Sequence, residues 1–380
     1  MKPDNINQLL IRNLETKTLT YSSVILNKEK FMNFLNKIEN LDNLNALKSK
    51  VIILKSIINS SKIDREGLIN IDLNGDTVSL RKDILTSELN QILEAKTLQR
   101  AKYYTKRLKN GIKEVKTNKI NDINLLRWKE YDEIITDSLW ILDKRDSSGA
   151  HIAWYWGNFI PQIPHQIMLR YTKKRDWVLD TFVGSGTTLI ECRRLGRNGV
   201  GIELNPDVVK KANELIKKEY NRYNIKTEIV TGDSRKIDIK EILSRYGIDK
   251  VQLLIMHPPY HNIIKFSDDD KDLSNARNTR IFLDMFCEVV DNATPYLESK
   301  RYFALVIGDK YSGGEWIPLG FYCMQEILKR GYLLKSIIVK NFEETRGKRN
   351  QKELWRYRAL ALSLIHISEP TRPLYISYAV

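Results

Sequence analysis

Asp180-Thr181-Phe182-Val183-Gly184-Ser185-Gly186-Thr187-Thr188 leads from an apolar run into a helical pattern, with two glycines at the turn. Glycine lets the backbone come close to a ligand. A helix that starts near Thr187 would aim unpaired amides and the positive end of its dipole at an anionic group. No lysine follows the second glycine, so the turn is not a triphosphate loop, and the third glycine of the dinucleotide fingerprint is missing. Glu203 lies 23 positions after Asp180, at the end of Val200-Gly201-Ile202, where a carboxylate can accept both hydroxyls of a ribose. Asp233, in Thr231-Gly232-Asp233-Ser234, is suited to accept from an adenine amino group. Singly, each acid reads as a helix cap or a solvated loop residue. Jointly, at the ends of three successive apolar runs, they describe an adenosine site.

A fourth cluster, His257-Pro258-Pro259-Tyr260, follows Leu253-Leu254-Ile255-Met256. Two consecutive prolines end the strand and hold the chain extended, which fixes the direction of the His257 and Pro258 carbonyls. Tyr260 then offers a ring that can stack on a planar group. In isolation this would be a rigid turn with a buried tyrosine. After an adenosine site in the same sheet it is a candidate catalytic corner.

These clusters need a scaffold that brings four loop tips together. From Trp177 onward short apolar runs alternate with helical stretches: Trp177–Leu179, a helix from about Thr188, Gly199–Ile202, a helix from Pro206, Glu228–Val230 and Val251–Met256. Such alternation predicts an α/β fold, a mostly parallel sheet covered on both faces, which places ligands at the C-terminal ends of its strands. Tyr302–Ile307 and Leu333–Val339 read as two more strands around a helix from Leu319 to Lys329. The first 124 residues are expected to be mostly helical. Their apolar spacing marks helices over Phe31–Ile38 and Leu41–Ile58, a β-hairpin of 68–73 with 77–80 around Asn74-Gly75-Asp76, and one long helix from Asp83 to Val115. The second half of that helix is basic, with Lys96, Arg100, Lys102, Lys106, Arg107, Lys109, Lys113 and Lys116 around Tyr103 and Tyr104.

The composition agrees with an intracellular protein that meets a polyanion. The 380 residues are 42% hydrophobic, enough to bury cores, and carry a formal charge of +15. Cys192, Cys287 and Cys323 are too few and too far apart for a disulfide framework or a four-ligand zinc site, so no metal is expected and a reducing, cytoplasmic setting fits. No apolar run reaches the length that spans a bilayer, and no membrane partner is expected.

With both motifs in view, the chain resembles the amino-group DNA methyltransferases, which modify adenine N6 or cytosine N4 with S-adenosylmethionine. Asp180–Thr188 is similar to their Asp-Pro-Phe-x-Gly-Ser-Gly-Thr-Thr, with Thr181 in place of proline, and His257–Tyr260 to their catalytic (Asp/Asn/Ser)-Pro-Pro-(Tyr/Phe/Trp). The resemblance covers about residues 125–361 and implies a Rossmann-like S-adenosylmethionine-dependent methyltransferase sheet. It implies a cofactor site of Asp180, Phe182, Gly184, Ser185, Gly186, Thr187, Thr188, Glu203, Asn205, Asp233 and Ser234, with the glycine turn beside the methionine part. Phe159–Tyr171 resembles the element packed next to that part. His257, Pro258, Pro259 and Tyr260 would be catalytic: a base flipped from double-stranded DNA stacks on Tyr260, and its amine donates to the Pro258 carbonyl and to position 257. Histidine at that position is a departure. Neutral imidazole accepts a proton and imidazolium does not, so activity is expected to fall as pH drops through the His257 pKa. With neither Asp nor Ser in the first place, adenine and cytosine remain open as targets.

Only 24 positions separate Asp233 from His257, too few for a recognition domain. The basic N-terminal region is therefore expected to contact phosphates, and the polar loop Asn262–Thr279 to order on DNA. The alternatives are an RNA-base or protein-glutamine methyltransferase, or a catalytically silent DNA-binding regulator. C5 methylation of cytosine needs a thiol nucleophile, and no cysteine here follows a proline. A cognate restriction endonuclease is the protein partner the resemblance allows; recognition sequence and oligomeric state are not written in these residues. Finally, Leu362–Pro373 resembles the conceptual translation of a sequencing adaptor. Residues 362–380 are expected to be artefactual, although Ser363–Ile367 has the apolar pattern of a strand.

Overall fold

The computed structural model describes residues 22–59, 64, 67–69, 76–142, 144–158, 160–312, 315–341 and 363–370. The chain divides into two units: residues 1–117 with 123–132, and residues 118–122 with 133–380. The boundary expected at residue 124 is thus a double crossing. Residues 118–122 go with the second unit, where the Asn121 side chain donates to the Arg170 carbonyl (2.7 Å). Residues 123–132 return to the first, held by Lys129 to Glu88 (2.6 Å) and Arg81 to Asp132 (2.6 Å).

In the N-terminal unit, β1 (Ser23–Asn27) and β2 (Thr77–Arg81) pair antiparallel, and each runs directly into a helix: α1 (Lys28–Glu39) and α3 (Lys82–Glu94). The Asn27 side chain caps α1 by accepting from the Lys30 amide (3.0 Å). α2 (Leu44–Asn59) and α4 (Leu98–Lys113) complete a core around Phe31, Leu35, Leu47, Val51, Leu54, Leu89 and Ala101. Two expectations are corrected here. Thr77–Leu80 is a strand, but its partner is Ser23–Asn27; Leu68 and Ile69 form a bend, and residues 70–75 lie outside the described residues. The single helix over Asp83–Val115 is two helices. Ile92 and Ala101 are both buried yet nine residues apart, about two and a half turns, so one straight helix would point them to opposite sides. The chain breaks at Ala95 (φ −59°, ψ 131°) and restarts at Thr97, whose side chain accepts from the Arg100 amide (3.2 Å).

The second unit is the expected α/β layer structure. Its eight-stranded sheet contains β3 (Leu139–Ile141), β4 (Trp177–Asp180), β5 (Asn198–Glu203), β6 (Thr227–Thr231), β7 (Val251–Met256), β8 (Leu297–Gly308), β11 (Tyr332–Asn341) and β12 (Ser363–Pro370), in the order β3-β11-β12-β8-β7-β4-β5-β6. β9 (Lys310–Ser312) and β10 (Glu315–Ile317) form a separate hairpin. All neighbours in the large sheet are parallel except β12, which lies antiparallel between β11 and β8. Successive strand residues face opposite sides. Val178, Leu253, Ile255, Ala304 and Val306 pack under α5 (Gln162–Tyr171), α6 (Thr187–Leu195) and α7 (Pro206–Lys218). Leu179, Leu254, Met256, Phe303 and Leu305 pack under α8 (Ile239–Ser244), α9 (Thr279–Ala293) and α10 (Leu319–Lys329). Among the described residues no helix is long and apolar enough to cross a membrane.

Candidate active site

Strand order runs outward from β4 through β5 and β6 on one side, and from β7 to β8 on the other. The crevice at that switch point, outside the C-terminal ends of β4 and β7, is where open α/β sheets bind ligands. The glycine turn follows β4 and the diproline corner follows β7, and both open onto one cleft. Phe182, Gly184, Ser185, Thr187, Glu203, Asn205, Asp233, Ser234 and His257–Tyr260 all line it. Four distant stretches of sequence therefore share one pocket.

Three expected cofactor residues stand behind the wall instead. Asp180 is fully buried, accepts from the Phe182 amide (2.9 Å) and from the Thr188 hydroxyl, and so ties the end of β4 to the first turn of α6. Burial pushes its carboxyl up to about 6. Thr188 is spent on that bond. Gly186 caps α6 in a left-handed conformation (φ +83°), and a Cβ there would lie 2.9 Å from Ile216, so its role is the close approach of α6 and α7. Gly184, also left-handed (φ +49°), does face the cleft.

Glu203 organises the wall. Its Oε2 accepts from the Gly184 amide (3.0 Å) and its Oε1 from the Asn205 amide (3.0 Å), while burial raises its pKa. A carboxylate has about four acceptor positions, more than the backbone amides occupy, so it keeps capacity for a ligand hydroxyl. The Asn205 side chain caps α7 by accepting from the Asp207 amide (2.9 Å). Asp233 is gripped by the Arg235 guanidinium (2.8 Å) and amide (3.0 Å), and the Ser234 hydroxyl donates to the Thr181 carbonyl (2.6 Å), pinning the β6 loop to the β4 loop. The residues fit an adenosine-bearing cofactor: a carboxylate with spare lone pairs at the end of β5, a second carboxylate at the end of the neighbouring β6, and a glycine at the turn.

At the corner, His257 Nε2 and Tyr260 Oη lie 3.0 Å apart, and their rings meet edge to face. Tyr260 packs on the backbone of Gly308, where a Cβ would come within 2.6 Å of the ring. Desolvation, with Lys340 adding positive charge, pushes the His257 pKa down to about 3. The imidazole is therefore neutral at ordinary pH, and the expected fall of activity through the His257 pKa moves with it to strong acid.

Sequence reasoning missed the aromatic cover. Tyr155 reaches within 3.3 Å of where a Gly184 Cβ would be and stacks on Phe266, which in turn leaves room only for glycine at position 157. Asn158 donates to the Ser185 hydroxyl (3.1 Å). The available signal is the aromatic run Trp154-Tyr155-Trp156 just ahead of Phe159–Tyr171. Phe159 itself lies outside the described residues, and Ile163, Ile167 and Met168 of α5 are core. The loop after the corner walls the cleft. Ile264, Phe266, Asp272 and Leu273 wall the cleft, and the Asn275 side chain donates to the Ser267 (3.0 Å) and Asp269 (2.8 Å) carbonyls. Cys192 and Cys323 are fully buried, and burial raises the thiol pKa of all three cysteines.

The chain matches a family model described as DNA methylase, N6_N4_Mtase, over residues 16–214. That span contains the glycine turn and Glu203; it begins upstream of the region of motif resemblance and ends before Asp233 and the diproline corner. Among curated proteins the chain is similar to the Type II methyltransferase M.BglI of Bacillus subtilis, 27% identical over 129 residues, 32% of this chain and 36% of that protein. It is 39% identical to M.Cfr9I of Citrobacter freundii over 72 residues, 19% and 23% of the two chains. It is 42% identical to M.MjaII of Methanocaldococcus jannaschii over 52 residues, 14% and 10%. The chain thus spans between a tenth and about a third of the length of these relatives. Among solved structures, TrmN from Thermus thermophilus aligns with a TM-score of 0.39 at 16% identity, over 57% of this chain and 50% of that one.

Proposed function

Because this chain belongs to the DNA methylase family whose model it matches over more than half its length, we propose that it methylates the exocyclic amino group of a base, adenine N6 or cytosine N4, in double-stranded DNA. S-adenosylmethionine is the cofactor, and when bound it supplies an electrophilic methyl group on a sulfonium. The observation that carries the reading is the opening of the glycine turn and the diproline corner onto one cleft at the switch point of the sheet.

Each part of the chain then has a task. Glu203 would hold the ribose through its remaining acceptor capacity, and Asp233 and Ser234 would border the adenine. Gly184, Ser185 and Thr187 would line the methionine part, and Tyr155 with Phe266 would exclude water above it. Extracting a base from the duplex costs a few kcal/mol, of which stacking on Tyr260 returns about 1 to 3. The Pro258 carbonyl, fixed by the two proline rings, accepts one amine proton. Neutral imidazole keeps a lone pair on one ring nitrogen, and His257 would be the second hydrogen-bond acceptor for the amine. Two acceptors in fixed directions localise the amine lone pair toward the methyl, so catalysis is chiefly positioning and electrostatics.

The test is incubation of the full chain with duplex DNA and methyl-labelled cofactor, followed by digestion to nucleosides. N6-methyladenine or N4-methylcytosine is expected. Label confined to RNA or to glutamine of an added protein would assign the chain to those substrates, and cofactor binding without any transfer would mark it as catalytically silent.

A further inference from the structure

We infer that the outward face of α4, with Lys96 just ahead of it and Arg100, Lys106 and Lys113 along it, is a contact surface for the phosphate backbone of duplex DNA. The inference rests on the reading above that DNA is the substrate. The basic run of the sequence is not one uniform surface. Ala101, Thr105 and Ile112 face the core of the N-terminal unit. Some of the cations are neutralised from within: Lys102 by Asp42 (3.4 Å), Lys109 by Glu39, and Arg107, which lies over the same Tyr104 ring as Arg100 (5.0 Å), by Glu88. Lys96, Lys106 and Lys113 are exposed and make no ion pair among the described residues, and from Lys96 to Lys113 the sequence holds no acidic residue. Glu94 and Glu114 bound the stripe at its two ends.

Arg100 distinguishes this face from a merely solvated one. Its guanidinium lies over the rings of Tyr103 (5.2 Å) and Tyr104 (4.8 Å) and donates to the Tyr104 hydroxyl (3.0 Å). A planar fork already held in place loses less freedom on meeting a phosphate than a free side chain does. From Arg100 to Lys113 the helix rises about 20 Å, which matches about six phosphates of one strand. Neutralising phosphates releases counterions, so the contact is independent of sequence and its signature is the salt dependence of binding, with a slope of about 0.9 per phosphate.

The experiment compares the full-length protein with the triple variant Lys96→Gln, Lys106→Gln, Lys113→Gln. A second triple, Lys210→Gln, Lys217→Gln, Lys218→Gln on the exposed side of α7, serves as an equal change of net charge. Binding to a mixed-sequence DNA duplex is measured from 50 to 200 mM salt, and S-adenosylhomocysteine affinity is measured by calorimetry. For the α4 triple, the slope of log K against log salt should become shallower by about 2.7, with cofactor affinity unchanged; the α7 triple should leave the slope nearly as it is. Equal loss in both triples, or none in the first, overturns the inference while leaving the enzymatic reading intact. Tighter binding of an RNA duplex than of DNA overturns the choice of partner. A wild-type protein that neither binds nor methylates duplex DNA removes both.

Discussion

His257 stands where an acceptor is required, and the low pKa that burial imposes on it changes what a pH profile should show. With its pKa near 3, imidazole stays neutral, so turnover between pH 5 and 8 should carry no inflection from this residue. His257→Ala leaves the Pro258 carbonyl as the remaining acceptor and should lower turnover by about a hundredfold, the scale of losing one preorganised hydrogen-bonding group, with the same profile shape. Full activity in that variant would reduce His257 to scaffolding. Asp180 carries the opposite shift. Its folded pKa near 6 lies above the ordinary 3.8, so the fold holds its proton more tightly: stability is complete below about pH 4 and declines as pH rises through 6. The penalty approaches about 3 kcal/mol. Asp180→Asn should therefore gain in melting temperature on the wild type between pH 4.5 and pH 8, and an unchanged gap would refute the assignment. The motif names Asp180, Gly184, Gly186 and Thr188 alike. It does not say which of them face the cleft, because that depends on the neighbours each one meets: Ile216 for Gly186, and Thr188 and Phe182 for Asp180.

Among the elements, the polar segment that follows the catalytic corner walls the cleft, and what roots it lies 48 residues downstream. Lys310, buried at the start of β9, donates to His261 Nδ1 (3.1 Å) and to the Asn262 side chain, while His261 Nε2–H donates to the Ala276 carbonyl (2.8 Å). His261 adopts a left-handed conformation (φ +53°) that few non-glycine residues hold unless their surroundings require it. Lys310 thus fixes the root of the loop that carries Phe266 and Asp272. Lys310→Met removes a buried charge together with its donors, so overall stability should change little, whereas S-adenosylhomocysteine affinity measured by calorimetry should fall about tenfold; an unchanged affinity would show that the loop holds itself. Elements set by local pattern are legible: the apolar spacing marks the helix at about Leu319–Lys329, where it lies, and the apolar runs mark β4 to β7 to within one or two residues. The break at Ala95–Thr97 was legible in principle, from the half-turn slip of the apolar stripe and from the Thr97 cap. The pairing of β2 with β1 was not, because its partner lies about 50 residues away and the nearer Asn74-Gly75-Asp76 signal pointed elsewhere.

For the whole molecule, the sheet depends on a strand that arrives last and sits inside. β12 bridges β11 and β8 by antiparallel pairing on both edges, with Leu364 opposite Val339 on one side and Ile307 on the other. The strand falls in the stretch that resembles an adaptor, and the pairing it makes is backbone pairing, which many sequences of strand propensity can supply. β8 and β11 present facing edges that such a strand of opposite direction satisfies. A chain ending at Ala361 would leave both edges open. β8 keeps β7 on its other side, but β11 keeps only the three-residue β3, so the outer part of the sheet should detach first, exposing Ile338 and the apolar residues beside it. The truncated protein should melt at least about 10 °C lower and self-associate through the unpaired edges. Its β4–β7 cleft, built from strands that lose no neighbour, should still bind S-adenosylhomocysteine below the melting point. Thermal melts, light scattering and calorimetry on the same preparation separate the two effects, and an unaltered melting temperature would mean that β8 and β11 close on each other without the inserted strand.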